Sequence, residues 1–449
     1  MEFKNDAPCR IGTMSRNFPA DLAKHVRAQL VARKQHPPLL GPLTTLFETL
    51  YFASLKQEED EPISCRIAFV NRKRPDAHPP KRIVADRWQC CPLDNALPLD
   101  VPNLVKLSTA VDPWGSTLAV DIDSYGKWHI WGLIDQSVHY STYIVKEAAD
   151  GVEMPGMFQA LIQGIGEIAV YQTYVLLGSL RQESLVTRQH RVFQSGPVHT
   201  KLMRSIRSLQ KRVRGKVGNE LYDERDHWDK SIEDLWVSAL CRILIGIQKY
   251  HHGGAVLISD SESDLNVKYS LSYSRLADAL FRTAVLQIQT TGYSDQIHDE
   301  YLPDAEEIPT RLYLKQSVMQ NDLTDANNEI TGCIRFLASL GRVDGLIWLG
   351  SGLELKGFGV EITIRKDPDH AFLALNSEAT KTNKLDLNHY GTRHRSMLRY
   401  CAIDSDSIGF IVSQDGDIRA ATHSGSRVLL WDSVRTRSLL NARSLPAEN

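Results

Sequence analysis

Paired cysteines, charge of one sign and long apolar runs are all missing from this 449-residue chain. Its 7 cysteines (Cys9, Cys65, Cys90, Cys91, Cys241, Cys333 and Cys401) form no CxxC pair. That argues against a zinc ribbon or a disulfide framework and for free thiols in a reducing compartment. With 52 lysines and arginines against 54 acids, the formal net charge is -2. Bulk electrostatics therefore does not make the chain a nucleic-acid binder. No stretch approaches the roughly 20 apolar residues needed to span a bilayer, and Met1 to Asp6 lacks a cationic segment leading into an apolar one. A cytoplasmic protein with no membrane contact is the expectation. No GxxxxGK[ST] occurs, which sets aside a P-loop ATPase, and no fixed-period repeat is visible.

What is present is an ordinary globular composition, 42% hydrophobic and 24% charged. At roughly 100–200 residues per domain, two or three domains are expected. Residues 18–34 and 44–55 read as helices, with His36-Pro37-Pro38 between them. Ile63 to Val70 is strand-like, and a basic, proline-rich loop follows from Asn71 to Arg82. Thr117–Ile122 and Trp128–Ile134, joined by Ser124-Tyr125-Gly126-Lys127, read as a β-hairpin, with a second strand pair within 165–178.

From Lys201 to Lys216, seven lysines and arginines occur with no acid between them, while Leu202, Ile206, Leu209 and Val213 keep helical spacing. The segment reads as a basic-faced helix, either a solvated linker or a surface for a polyanion or acidic partner. The domain boundary is placed at 215–228. Beyond it, Ile232–Tyr250, Ser274–Leu286 and Ala326–Leu340 read as helices. Gly253–Ile258, Val343–Leu349 and Ile408–Val412 read as buried strands, and 288–325 as a long polar connection.

Three segments carry chemistry. Val343-Asp344-Gly345-Leu346 sets a carboxylate and a glycine at a strand start, where a divalent cation beside a triphosphate would suit the acid. Tyr390-Gly391-Thr392-Arg393-His394-Arg395 combines two phosphate-gripping guanidinium groups with a hydroxyl and free backbone N–H groups. Val412-Ser413-Gln414-Asp415 ends a strand in a hydroxyl and an acid. Taken singly, an Asp-Gly turn, a basic surface helix and a β-hairpin are the simpler readings.

In this order the three segments resemble the signatures of the diadenylate cyclase (DAC) domain family: Asp-Gly-Ala, Gly-Thr-Arg-His-Arg and a serine-acid-acid strand end. The resemblance covers about 230 to 430, and Gly254-Ala255-Val256-Leu257-Ile258 is similar to the family's opening strand. Leu346 stands in place of the usual alanine, Ser396-Met397 in place of two alanines, and Gln414 in place of the first acid. Asp112-Pro113-Trp114 and the Trp128 to Ile134 strand resemble DACNV, a probable sensor domain that precedes DAC domains.

The resemblance implies an α/β protein. A C-terminal mixed β-sheet flanked by helices (216–435, with an added segment near 288–325) follows a separate mixed α/β sensor domain (1–215) and leads into a tail (436–449). It implies condensation of two ATP into cyclic di-AMP by face-to-face DAC domains in a homodimer or higher oligomer, each holding one ATP, with Mg²⁺ or Mn²⁺. Asp344 would hold the metal and help activate the 3′-hydroxyl, and Gly345 would let the nucleotide approach. Leu346 would lie beside the nucleotide. Gly391, Thr392, Arg393, His394, Arg395 and Ser413 would bind the phosphates. A degenerate DAC-like domain that senses ATP or a cyclic dinucleotide is the alternative.

Overall fold

The computed structural model describes residues 17–73, 88–111, 115–136, 155–172, 175–181, 183–187, 189–219, 221–222, 225–248, 250, 253–301, 308–413 and 417–436. The basic loop beyond Lys73, Asp112-Pro113-Trp114, Gln414-Asp415 and the tail beyond Thr436 lie outside the described residues. The chain divides into two compact mixed α/β units, Met1–Ser141 with Val152–Arg188, and Thr142–Gly151 with Gln189–Asn449.

In the first unit, helices α1 (Pro19–Ala32), α2 (Leu40–Ser54) and α3 (Val101–Ser108) accompany strands β1 (Gln57–Glu58), β2 (Glu61–Pro62), β3 (Cys65–Phe69), β4 (Gln89–Pro98), β5 (Ser116–Ile122), β6 (Trp128–Asp135), β7 (Gln159–Gly164), β8 (Glu167–Gln172), β9 (Val175–Arg181) and β10 (Ser184–Val186). β1 and β2 form a small hairpin. The others form one sheet in the order β10-β9-β8-β7-β3-β5-β6-β4, with only β3–β5 parallel. Strand alternation sends Leu118 and Val120 into the helix-covered core and Ala119 to the opposite face. The expected hairpin turns where Asp123 Oδ1 accepts the Tyr125 and Lys127 N–H groups at 2.9 Å, with Gly126 at φ +80°.

The second unit contains α4 (Gly196–Val217), α5 (Arg225–Gln248), β11 (Gly254–Ile258), β12 (Leu265–Tyr273), α6 (Arg275–Tyr301), α7 (Thr310–Leu340), β13 (Leu346–Leu349), β14 (Leu355–Ile362), β15 (Ala371–Ala374), β16 (Thr382–Lys384), α8 (Thr392–Ile403), β17 (Ile408–Val412), β18 (Ile418–Ser424) and β19 (Arg427–Trp431). Its nine-stranded mixed sheet runs β12-β14-β13-β11-β17-β18-β19-β15-β16. Fully buried strands explain the unbroken apolar runs of the sequence. Val256, Ile347, Phe410 and Val412 join the core beneath α4–α7, whereas Ala255, Leu346, Ile411 and Leu430 face α8.

Two expectations are corrected. Residues 288–325 are not an irregular connection, because the described part of the segment is the continuation of α6 and the first half of α7. Its polar sequence reflects two helices packed on one another, with Ile288 and Ile297 buried and their outer faces solvated. The division between units falls at Arg188–Gln189, ahead of the expected 215–228. The chain commits to the second unit before α4: the His190 N–H donates to the Ser433 carbonyl at 2.7 Å, and Phe193 stacks on Phe410 with centroids 5.6 Å apart.

Candidate functional site

β11 and β13 run parallel and β17 runs against them, so the starts of the first two and the end of the third meet at one edge of the sheet. Ala255, Leu346 and Ser413 therefore converge, although they are far apart in sequence. The N-terminus of α8 reaches the same edge, and a cavity of about 730 Å³ opens among them. Three of the predicted segments contribute to its lining: Gly345-Leu346, Gly391 to His394, and Ser413. One wall is apolar, built by Ala255, Leu346, Val360, Met397 and Ile411. The polar lining includes Thr392, Arg393, Ser396 and Ser413, with the start of α8. The volume lies within the ~300–1,000 Å³ typical of small-molecule pockets.

The strand β13 starts at Leu346, so Asp344 and Gly345 occupy the turn before it. Gly345 has φ +108°, and a Cβ there would lie 2.5 Å from the Gly359 carbonyl carbon. The glycine is thus required by the neighbouring strand β14 pressing on the turn. Asp344 is exposed, and its side chain makes no hydrogen bond or ion pair among the described residues. Its carboxylate is not part of the cavity lining.

Gly391 caps α8 without a side-chain bond, and its carbonyl accepts the His394 and Arg395 N–H groups. The N–H groups of Thr392 and Arg393 are left to point outward, where an anion is favoured. His394 is half-buried. Its Nε2 lies 2.7 Å from Arg419 Nη1 on β18. Burial, then the charges of Arg419 and Arg393, push its pKa down to about 4. Arg395 is engaged elsewhere: its Nη2 donates to Asp367 at 2.9 Å, beside Arg399 Nε at 2.6 Å, and it does not line the cavity. Hydrogen bonding from Arg399, and then from Arg395, holds the Asp367 carboxyl below its usual range. Ser413 lines the cavity, and its Oγ accepts the Asp417 N–H at 3.0 Å.

Three of the departures from the resemblance, Leu346, Ser396 and Met397, lie among the described residues and find room. Leu346 is buried in the apolar wall. Met397 lies over Gly409, where a Cβ would come within 2.2 Å of its side chain. Ser396 lines the cavity. Glu361, Arg365 and Arg419 were not singled out from the sequence. The first two come from β14 and the residues after it, a segment without a motif. The third stands four residues beyond Asp415 and is brought beside His394 by the β17–β18 pairing.

Among the described residues no group of three or more His, Cys, Asp or Glu side chains is placed to hold a metal ion. The unpartnered Asp344 carboxylate next to a phosphate-suited cavity still fits a hard cation that takes one or two carboxylates and draws its other ligands from phosphate and water. No helix is long and apolar enough to cross a membrane among the described residues.

The basic helix is also clarified. Lys201 Nζ donates to the Ser405 carbonyl, Thr422 Oγ1 and the His423 carbonyl at 2.6–2.7 Å, and Arg204 pairs with Asp406. Arg212 lies over the Phe281 ring and Arg214 over Tyr222. Much of the charge is used to seat α4 on its own unit.

Comparison with curated proteins gives no match, and comparison with solved structures gives none either. Residues 33–135, which span α2 to β6 of the first unit, match the family model described as the probable sensor domain DACNV.

Proposed function

We propose that the second unit condenses two ATP molecules into cyclic di-AMP, releasing two pyrophosphates, and that the first unit regulates it as a sensor. The observation that carries this reading is the cavity itself. It draws Gly345-Leu346, Gly391–His394 and Ser413 to one sheet edge, where apolar side chains and groups suited to phosphate line the same space. The base of ATP would lie against Leu346 and Ile411. Arg393, the α8 N-terminus, Thr392 and Ser413 would hold the phosphates. The 3′-hydroxyl of one nucleotide forms a bond to the α-phosphorus of the other as the bond to pyrophosphate breaks, and Asp344 assists removal of the hydroxyl proton. A Mg²⁺ or Mn²⁺ ion held by Asp344 and the phosphates would supply neutralisation of the developing charge. Two units must face each other, because one cavity holds half of the reaction. The DACNV match supports the regulatory half of the proposal.

A second reading, a nucleotide sensor without chemistry, is favoured by the Arg395–Asp367 pair, which withdraws one guanidinium from the cavity. Incubation with ATP and either metal, with products resolved by mass spectrometry, separates the two. Cyclic di-AMP is expected; ATP binding with no cyclic product from either metal would establish the sensor. Asp344→Asn is expected to lower product formation by ~100-fold or more while leaving ATP affinity within about 3-fold. Full activity of that variant would remove Asp344 from the chemistry.

A further inference from the structure

Arg419 lies outside every motif noted in the sequence, yet its guanidinium makes one hydrogen bond among the described residues, from Nη1 to His394 Nε2 at 2.7 Å. It also lies over the Tyr390 ring, 6.0 Å from the centroid, and Tyr390 in turn sits 5.6 Å from the His394 ring. A guanidinium has only donors, so Nε2 accepts, and in neutral imidazole the proton must then be on Nδ1. Nδ1 has no hydrogen-bond partner among the described residues and is not one of the buried polar atoms left without one, and His394 lines the cavity.

We propose that Arg419 is a positioning residue: it locks His394 in the Nδ1–H form, so that His394 meets a phosphate in the cavity as a neutral donor while Arg393 supplies the positive charge. This rests on the reading of the cavity as a phosphate site. The division of labour follows from the surroundings. Burial, then Arg419 and Arg393, oppose a second proton on the ring; among the described residues Tyr390 lies beside it, Asp432 acts on Tyr390 and Arg419, and Glu361 and Arg365 line the same cavity. Arg395, the other basic side chain of the segment, is bound to Asp367.

The test uses the full chain with ¹⁵N-labelled histidine. Wild-type His394 is expected to show a protonated Nδ1 and a bare Nε2, and inorganic tripolyphosphate is expected to shift the Nδ1–H resonance. Arg419→Leu removes the donor; it is expected to release the ring to the Nε2–H form and to weaken tripolyphosphate binding about 10-fold. Arg419→Lys keeps a donor and is expected to restore the Nδ1–H form. An Nε2–H ring in the wild type overturns the proposal, and so does an Nδ1–H signal unmoved by saturating tripolyphosphate. An unchanged tautomer in a folded Arg419→Leu protein does the same. If that variant does not fold, the wild-type tautomer and Arg419→Lys decide. Product assays report separately. Cyclic di-AMP formed by a protein with an Nε2–H ring sinks this inference and spares the cyclase. An Nδ1–H ring that responds to tripolyphosphate in a protein that makes no product does the reverse.

Discussion

At the scale of single residues, Gly345 and His394 show opposite ways in which a motif position acquires meaning. Gly345 is held at φ +108° with β14 against it, so Gly345→Ala meets both strain and a backbone clash. A loss of about 2 kcal/mol or more is expected for the second unit in denaturant unfolding followed by tryptophan fluorescence. The sequence pattern marked this glycine for nucleotide approach. The packing that demands it depends on Gly359, a partner that no local pattern identifies. His394 is neutral in the fold, with a pKa near 4 against about 6.5 when unfolded. Between those values the unfolded chain binds the extra proton. Stability from this residue is therefore complete above about pH 6.5 and drains as pH falls toward 4. In His394→Gln the slope of stability against pH over that window should flatten; an unchanged slope would mean another group titrates there. The sequence pattern singled out the histidine among residues suited to phosphate. Its neutrality was not legible, because that depends on Arg419 arriving from β18.

At the scale of elements, α4 carries the clearest lesson. Its apolar stripe, Leu202, Ile206, Leu209 and Val213, was readable at helical spacing, and all four residues are buried. Its basic residues suggested either a solvated linker or a polyanion surface because the acceptors lie about two hundred residues downstream. Lys201 Nζ donates to a carbonyl just after α8 and to a hydroxyl and a carbonyl on β18, and burial lowers its pKa. Lys201→Ala is expected to destabilise the unit by about 2 kcal/mol, read as a drop in denaturant midpoint, because three acceptors lose their donor. A polyanion surface would instead leave stability unchanged. The long α6–α7 pair was hidden for a different reason. Its solvated faces are rich in Gln, Thr, Asn and Asp, which mimic a loop in composition while the buried positions keep the helix period.

At the scale of the whole chain, two separate cores accompany two units, and the order α/β-then-α/β could be read from the sequence, since strands buried on both faces leave unbroken apolar runs. The border could not. Residues 190–195 have no periodic signature; they belong to the second unit through the backbone bonds of His190, the Phe193–Phe410 stack and the Ser195–Glu378 hydrogen bond. A fragment beginning at Gln189 is therefore expected to give a folded, ATP-binding protein. One beginning at Gly218 loses α4 and uncovers its seat on the sheet. Burial of each large apolar side chain of α4 contributes roughly 1.5–3 kcal/mol, so the shorter fragment should be aggregated or unfolded by circular dichroism and size exclusion.

Of the described helices, α8 alone packs on its face of the nine-stranded sheet, whereas four cover the other. The cavity sits beside that single helix. With one nucleotide per cavity, as proposed, turnover waits on an encounter between two loaded chains. Output per chain would then depend on how crowded the chains are, in the manner of a second-order process. Abundance would become a control in its own right, and a modest rise in expression would raise the messenger more than in proportion until every chain had found a mate.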